Sequence, residues 1–277
     1  MLFLPECFGF MGTSAEQTLA EADPPIVIPS SGGRATNDDD TATRKNDASI
    51  SALLRETVAS CNSQGEGEPD TKLSNKESLN SSSPSKICIL DALKEIAQES
   101  KLWISAGGMH VSGAPPAIND DGSSPARIYN THVILNAQGV VQCLYRKIHL
   151  FDVHIPDKVN LQESKTTAPG TELVVCDSPL GRLGLSTCYD MRFPEQYVRL
   201  VHEMGAQVLL VPSAFTVPTG RAHWHILLRS RAIEHQCYVL AAAQYGQHNE
   251  KRESYGTFVF QHPQKWYMTY RKYSVVL

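Results

Sequence analysis

Gly184-Leu185-Ser186-Thr187-Cys188-Tyr189-Asp190-Met191-Arg192-Phe193-Pro194-Glu195 is the stretch on which the reading of this chain turns. An apolar strand ends at Cys188, and a helix opens a few residues later at Phe193-Pro194-Glu195. Proline suits a first helical turn, where its missing N–H is no loss, and glutamate suits the positive end of the helix dipole. A strand-to-helix turn displays a side chain at the sheet edge and aims backbone N–H groups at whatever that side chain attacks. Positive potential at such a turn favours a thiolate. On spacing alone a second reading stays equally open, a small core residue, since free cysteines are commonly buried.

Working outward, residues 173–176 and 182–187 read as strands. The helix after Phe193 runs to Met204, and Gly205 can stop it. A continuous apolar strand over 207–211, a helix over 222–235 and a buried strand over 237–243 follow. Upstream, Ile89, Leu93, Ile96 and Ala97 recur at helical spacing, predicting a helix to about Ser100. Residues 103–108 form a strand ending in glycines, and 119–125 a turn-rich loop. Strands over 128–135 and 140–145 are joined by the hairpin turn Asn136-Ala137-Gln138-Gly139. A loop then runs through Pro169-Gly170. Met1-Leu2-Phe3-Leu4 reads as the end of a buried strand. The alternation of strands and helices implies an α/β domain with helices outside the sheets. Residues 30–85 differ: they are rich in Ser, Asp, Asn, Gly and Thr, and no aromatic residue occurs between Phe10 and Trp103. Such a stretch buries too little apolar surface to offset its ordering entropy, so it is expected to be a disordered insertion.

Composition narrows the function. The 277 residues are 42% hydrophobic and 19% charged, as in an ordinary globular domain. A net charge of -4 argues against nucleic-acid binding. No apolar run reaches the ~18 to 20 residues that span a bilayer. The seven cysteines are widely spaced with no CxxC pair, which gives no support to a zinc or thioredoxin-type site and suggests a reducing, cytoplasmic compartment.

Four further residues are candidates for chemistry. Lys147, in Tyr145-Arg146-Lys147-Ile148-His149-Leu150, is either a solvated strand-end lysine or a point charge that stabilises an oxyanion. His149 could instead be the base of a Cys–His pair. Glu6 closes an apolar run, where a carboxylate can serve as general base. Glu163, in a loop after Asn160, is a weaker candidate of the same kind. His223-Trp224-His225 lacks the i, i+4 spacing of helical metal ligands and reads as a helix start with an aromatic anchor. Gly181-Arg182-Leu183-Gly184 is a turn into a strand, not a phosphate loop.

Together these motifs resemble the nitrilase superfamily, the carbon–nitrogen hydrolases. Leu4-Pro5-Glu6, Tyr145-Arg146-Lys147-Ile148-His149-Leu150, Gln162-Glu163-Ser164 and Cys188-Tyr189-Asp190-Met191-Arg192-Phe193-Pro194-Glu195 carry the likeness in the family's order. Within the superfamily, Ile128-Tyr129-Asn130-Thr131-His132, Pro212-Ser213-Ala214-Phe215 and the loop from Gln247 to Gly256 are similar to the branch that hydrolyses deaminated glutathione. The omega-amidase branch shares Lys147-Ile148-His149-Leu150-Phe151-Asp152 and stays a competitor.

The resemblance implies a four-layer α-β-β-α sandwich, no cofactor, no metal, a small-molecule amide substrate and a homodimer built by extending the sandwich. It implies Cys188 as nucleophile, Glu6 as general base, Lys147 and the Tyr189 backbone N–H as oxyanion donors, and Glu163 as the residue orienting Lys147 or the substrate. Tyr189, Arg192 and Phe215 would contact substrate. The hydrolase domain would occupy residues 1–260, interrupted by 30–85, with a divergent end over 261–277. Family members carry a strand, a helix and most of a second strand before the glutamate, so the sandwich is expected to be incomplete at both ends. A catalytically inactive, partner-binding protein of the same fold is the rival reading.

Overall fold

A computed structural model describes residues 1–7, 19–20, 22–26, 88–117, 122–156, 159–250 and 252–264. The insertion expected over 30–85 and most of the divergent end lie outside the described residues, as does part of the 119–125 loop.

In chain order the elements are β1 (Leu2–Phe3), α1 (Ile89–Ser100), β2 (Ile104–Ala114), β3 (Arg127–Leu135), β4 (Val141–Arg146), β5 (Asp152–Ile155), β6 (Val159–Gln162), β7 (Val175–Ser178), β8 (Gly181–Leu185), α2 (Pro194–Val198), β9 (Val208–Leu210), β10 (Phe215–Thr216), α3 (Val217–His235), β11 (Tyr238–Ala241), β12 (Gly246–Asn249), β13 (Arg252–Tyr255) and β14 (Val259–Gln261). Two sheets dominate, one ordered β1-β2-β3-β4 and the other β14-β11-β9-β8-β7. β1 runs parallel to β2, with Leu2 opposite Ile104. β8, β9 and β11 are parallel neighbours, while β7 and β14 close the edges antiparallel.

Three apolar clusters show four layers. Leu90, Leu93 and Ile96 of α1 pack on Leu2, Ile104 and Val133 of the first sheet. Phe3, Ile134 and Tyr145 meet Leu183, Leu185, Leu210 and Leu240 between the sheets. Tyr197, Trp224 and Leu228 cover Leu209, Val211 and Val239 on the far face. The result is the α-β-β-α sandwich expected from the sequence. The start of α1 is tied down by Asp23, whose carboxylate accepts from the N–H groups of Ile89 and Leu90 at 3.2 and 3.1 Å. These are orphan donors of a first helical turn, and an anion there also complements the dipole.

The structure departs from the sequence reading in instructive places. β2 does not end at its glycines but continues to Ala114, with a register shift between Ser105 and Gly108. Gly107 has φ +59, and a Cβ there would lie 2.1 Å from the carbonyl oxygen of Pro5. The glycines therefore mark where the chain leading to Glu6 crosses the strand. Residues 152–162, read as loop, form the β5–β6 hairpin. The helix after Phe193 is α2 followed by a π-turn, Arg199–Glu203, rather than one continuous helix. α3 starts five residues earlier than 222, because Pro218 is accommodated in its first turn. Among the described residues no helix is long and apolar enough to cross a membrane.

Candidate active site

Cys188 begins a short 3-10 helix, Cys188–Arg192, directly after β8. Its φ of +47 is a left-handed conformation that non-glycine residues rarely adopt. The Cys188 N–H donates to the carbonyl of Pro212 at 2.8 Å, which pins the turn to the chain leaving β9. Such strain persists only where the surroundings over-determine it. Here the chief restraint is Asp190, fully buried. Its Oδ2 accepts from the Thr187 N–H at 2.8 Å and the Tyr145 hydroxyl at 2.6 Å. Its Oδ1 accepts from the His149 N–H at 3.0 Å and lies 2.8 Å from His149 Nδ1. One carboxylate thus joins the Cys188 turn to the Lys147 segment. His149 is committed to this tether and stacks on Phe193 at 3.6 Å, so the Cys–His pairing left open above does not form.

Three charged side chains converge beside the thiol. Lys147 Nζ donates to Glu6 Oε1 at 2.8 Å and to the two oxygens of Glu163 at 3.1 and 2.9 Å. The Glu6 carboxylate also acts on the Cys188 thiol, making it hold its proton more tightly. Lys147 is only 2% exposed and Glu6 4%, which answers the surface-lysine alternative. Glu163, in a 3-10 turn (Glu163–Lys165), accepts a further bond from the Phe151 N–H at 2.7 Å. The cluster is thereby assembled from four places: the segment after β1, the end of β4, the turn after β6 and the turn after β8. Gln244 fastens the first of these, donating to the carbonyls of Glu6 and Cys7 at 3.2 and 3.1 Å.

The electrostatics sort the protons. Burial acts to raise the Glu6 pKa, but the Lys147 charge and hydrogen bonds from Lys147, Cys188 and Asn130 outweigh it and hold the carboxyl below its ordinary value. Burial acts to lower that of Lys147, but Glu163 and Glu6 outweigh it and keep the ammonium charged. Burial and the Glu6 charge push the Cys188 thiol well up, against the opposing pull of Lys147 and the Ala214 N–H. The resting site is therefore a neutral thiol beside an ionised carboxylate. It can move a proton from sulfur to Glu6 as the sulfur attacks, rather than store a preformed thiolate.

A cleft opens over Cys188. Tyr189, Arg192 and Phe215, expected to contact substrate, all line it, and so do Phe151, Ala214, Thr216 and Thr219. Arg192 lies over the rings of Tyr189 and Phe215, 5.9 and 5.8 Å from their centroids, and its Nη2 is 3.1 Å from His223 Nδ1. Sequence reasoning missed Asn130, Phe151, Asp190 and Gln244 as site-forming residues. Three of them, Asn130, Phe151 and Asp190, lay inside the stretches that carry the family likeness, but nothing in those stretches marked them individually. Among the described residues no group of three or more His, Cys, Asp or Glu is placed to hold a metal ion.

An α-β-β-α sandwich carrying a Glu–Lys–Glu cluster against a strained cysteine defines the class: residues 76–264 match the carbon–nitrogen hydrolase model, more than half of the chain, and the chain belongs to that family. It is 54% identical over 169 residues to the deaminated glutathione amidase of Dictyostelium discoideum, covering 61% of this chain and 55% of that protein. It is 48% identical over 181 residues to the deaminated glutathione amidase of Homo sapiens, covering 65% of this chain and 53% of that protein. The crystal structure of the C. elegans NitFhit protein superposes with a TM-score of 0.61 at 35% identity, over 94% of this chain and 47% of that one. The chain spans about half the length of the curated relatives it matches.

Proposed function

We propose that this chain is an amidase that cleaves the C–N bond of a small amide through an acyl-thioester at Cys188. The observation that carries the reading is the buried Glu6 carboxylate, which bonds the Lys147 ammonium and whose charge acts on the Cys188 thiol. Cys188 Sγ attacks the carbonyl carbon while its proton passes to Glu6. The carbonyl oxygen becomes an oxyanion, held by Lys147 Nζ and the Tyr189 backbone N–H. Glu6 returns the proton to the departing nitrogen, the C–N bond breaks, and ammonia or an amine leaves. Water then attacks the thioester, giving a proton to Glu6, and the collapse of that intermediate returns the proton to the thiolate and releases a carboxylic acid. The negative charge of Glu6 disappears as the oxyanion forms, so the cluster's net charge stays constant through each attack. Lys147 is already fixed by Glu6 and Glu163, so its charge is in place before the oxyanion forms, which is how preorganised charge lowers a barrier.

The substrate class we assign is an anionic amide such as deaminated glutathione. Arg192 supplies the cleft with a cation, Phe151 and Phe215 supply apolar walls, and amidases similar in sequence bear that name. The assembly we propose is a homodimer, supported by exposed apolar residues on the outer helical layer: Ile226 at 66%, Ile233 at 44% and Val198 at 43% exposure. The activity test is release of ammonia or amine from deaminated glutathione and from 2-oxo acid amides, with Cys188→Ala as blank. A rate abolished in the variant supports the reading, and equal rates in both proteins overturn it in favour of a partner-binding role.

A further inference from the structure

We propose that Asn130 is a positioning residue that, with Lys147, saturates Glu6 Oε1 and so assigns the proton transfer with Cys188 to Oε2. The inference rests on the reading of Glu6 and Cys188 given above and specifies which atom acts.

Asn130 lies on β3 opposite His110 of β2 and is 2% exposed. Its main-chain carbonyl accepts from the Lys147 N–H at 2.8 Å. Its side-chain Nδ2 donates to Glu6 Oε1 at 2.8 Å and to Glu163 Oε1 at 3.4 Å. One residue therefore seats the lysine through its backbone and both carboxylates through its side chain. A carboxylate oxygen offers two lone-pair positions. At Glu6 Oε1 these are taken by Lys147 Nζ and Asn130 Nδ2, both at 2.8 Å. The remaining oxygen, Oε2, is the one with room for a proton.

The orientation of the amide is informative. With Nδ2 turned to the carboxylates, Oδ1 is buried without a hydrogen-bond partner among the described residues. Leaving a buried acceptor unpaired is unfavourable. The reverse orientation is worse, since it would set that oxygen against two anions. Space for Oδ1 is made by Gly108, where a Cβ would lie 2.4 Å from it, 3.0 Å from Glu6 Cγ and 3.3 Å from Thr187 Cγ2. The glycine on β2 and the asparagine on β3 thus form one device that holds the carboxylate of Glu6.

The charged and titratable groups facing Glu6 are Lys147 from the end of β4, Glu163 from the turn after β6, Cys188 from the turn after β8, the adjacent Cys7, and His110 of β2. Burial lowers His110 to about 4, so it is neutral where the enzyme would work. Removing the Asn130 donor withdraws a bond from the ionised form of Glu6, so its protonation shifts to higher pH.

The test uses the full chain and iodoacetamide, a small neutral electrophile, with the alkylation rate of Cys188 followed by peptide mass spectrometry from pH 4 to 9. Wild-type Cys188 is expected to react faster than Cys143 and Cys237, with a falling limb on the acid side. Asn130→Leu should slow alkylation about 10- to 100-fold at neutral pH, the range for a catalytic group left out of position, and move the acid limb to higher pH because the ionised form of Glu6 loses a bond. Asn130→Ser, which keeps a hydroxyl donor, should recover part of both effects and covers the case in which the leucine variant does not fold. If either variant folds, by near-ultraviolet circular dichroism, and its profile superimposes on the wild type, the assignment to Asn130 is overturned while the nucleophile reading stands. If wild-type Cys188 reacts no faster than Cys237, the nucleophile reading fails, and this inference with it.

Discussion

Asp190→Asn is the substitution whose consequence the structure defines most fully. The native carboxylate takes four contacts with its two oxygens: Thr187 N–H and Tyr145 O–H on Oδ2, His149 N–H and His149 Nδ1 on Oδ1. An asparagine of the same shape offers one acceptor oxygen and replaces the other with an NH2. Whichever way the amide turns, that NH2 faces a backbone N–H that cannot rotate away, either Thr187 or His149. A buried donor left unpaired costs about 1 to 3 kcal/mol, and breaking a buried charge network about 3 to 5 kcal/mol. Tyr145 adds to the lower bound, because its oxygen already accepts from Ile148 N–H and Gln196 Nε2 and cannot readily become the acceptor's substitute. At roughly 2 to 4 °C per kcal/mol for a domain of this size, the midpoint of thermal unfolding should fall by about 6 to 20 °C. Iodoacetamide alkylation of Cys188 should slow in parallel, because the turn loses its link to the Lys147 segment. Thermal unfolding by circular dichroism at pH 7 and a timed alkylation read the two effects. A variant that melts within about 1 °C of wild type, with unchanged alkylation, would refute the reasoning that Asp190 joins the two motif segments.

Other substitutions separate fold from site. Gly108→Ala sits at an ordinary φ, so it should fold, but its Cβ would crowd Asn130 Oδ1 and Glu6 Cγ; amide hydrolysis should drop by about 100-fold or more, in the range of a lost general base, read by steady-state kinetics. Gly107→Ala should instead act on stability, since its positive φ and a Cβ 2.1 Å from Pro5 O would lift β1 off β2; urea unfolding should show a loss of about 1 to 3 kcal/mol at least. Acid should destabilise the chain through two buried histidines. His110 and His132 fall from 6.5 to about 4 through burial, so they stay neutral in the fold while the unfolded chain takes up their protons. Stability from these groups is complete above pH 6.5 and is lost as the pH falls toward 4, at about 1.4 kcal/mol per pH unit for each. Urea midpoints across that window should show the slope, and His132→Asn should flatten it. His132 is the better probe because its neutral form is built in: Nδ1 donates to the Ser186 carbonyl, leaving Nε2 to accept from the Ser105 hydroxyl.

What the sequence made legible follows from which physics is local. Cys188 was marked by an apolar strand stopping before Pro194, and both sides of that turn, β8 and α2, stand where periodicity and proline chemistry put them. The alternation of apolar strands and helices made an α/β domain legible, while the four-layer sandwich came only with the family likeness. Lys147 was not legible as a buried charge, since nothing near it in sequence announces Glu6, 141 residues away, or Glu163. Only the family likeness connected them. The glycine pair at 107 and 108 was read as a strand end because glycine has weak strand propensity, whereas its cause is tertiary: another segment's backbone crosses at that point. Asp190 carried no signal beyond its place in the Cys188 motif, because its partners Tyr145 and His149 come from across the fold. The β5–β6 hairpin was hidden for a different reason. Its strands are short, and its register rests on main-chain pairing rather than on a strong apolar alternation.

The central claim is that Cys188 forms the covalent bond to substrate, and the acyl-enzyme itself is the most direct thing to measure. The full chain is mixed with deaminated glutathione, quenched in acid within the first turnover, digested with pepsin and analysed by mass spectrometry. The account predicts an acyl adduct on the peptide carrying Cys188, removable by hydroxylamine as a thioester should be, and absent from Cys188→Ala. A protein that releases amine or ammonia from the amide while its Cys188 peptide stays unmodified, or while Cys188→Ala turns over at the same rate, would contradict it.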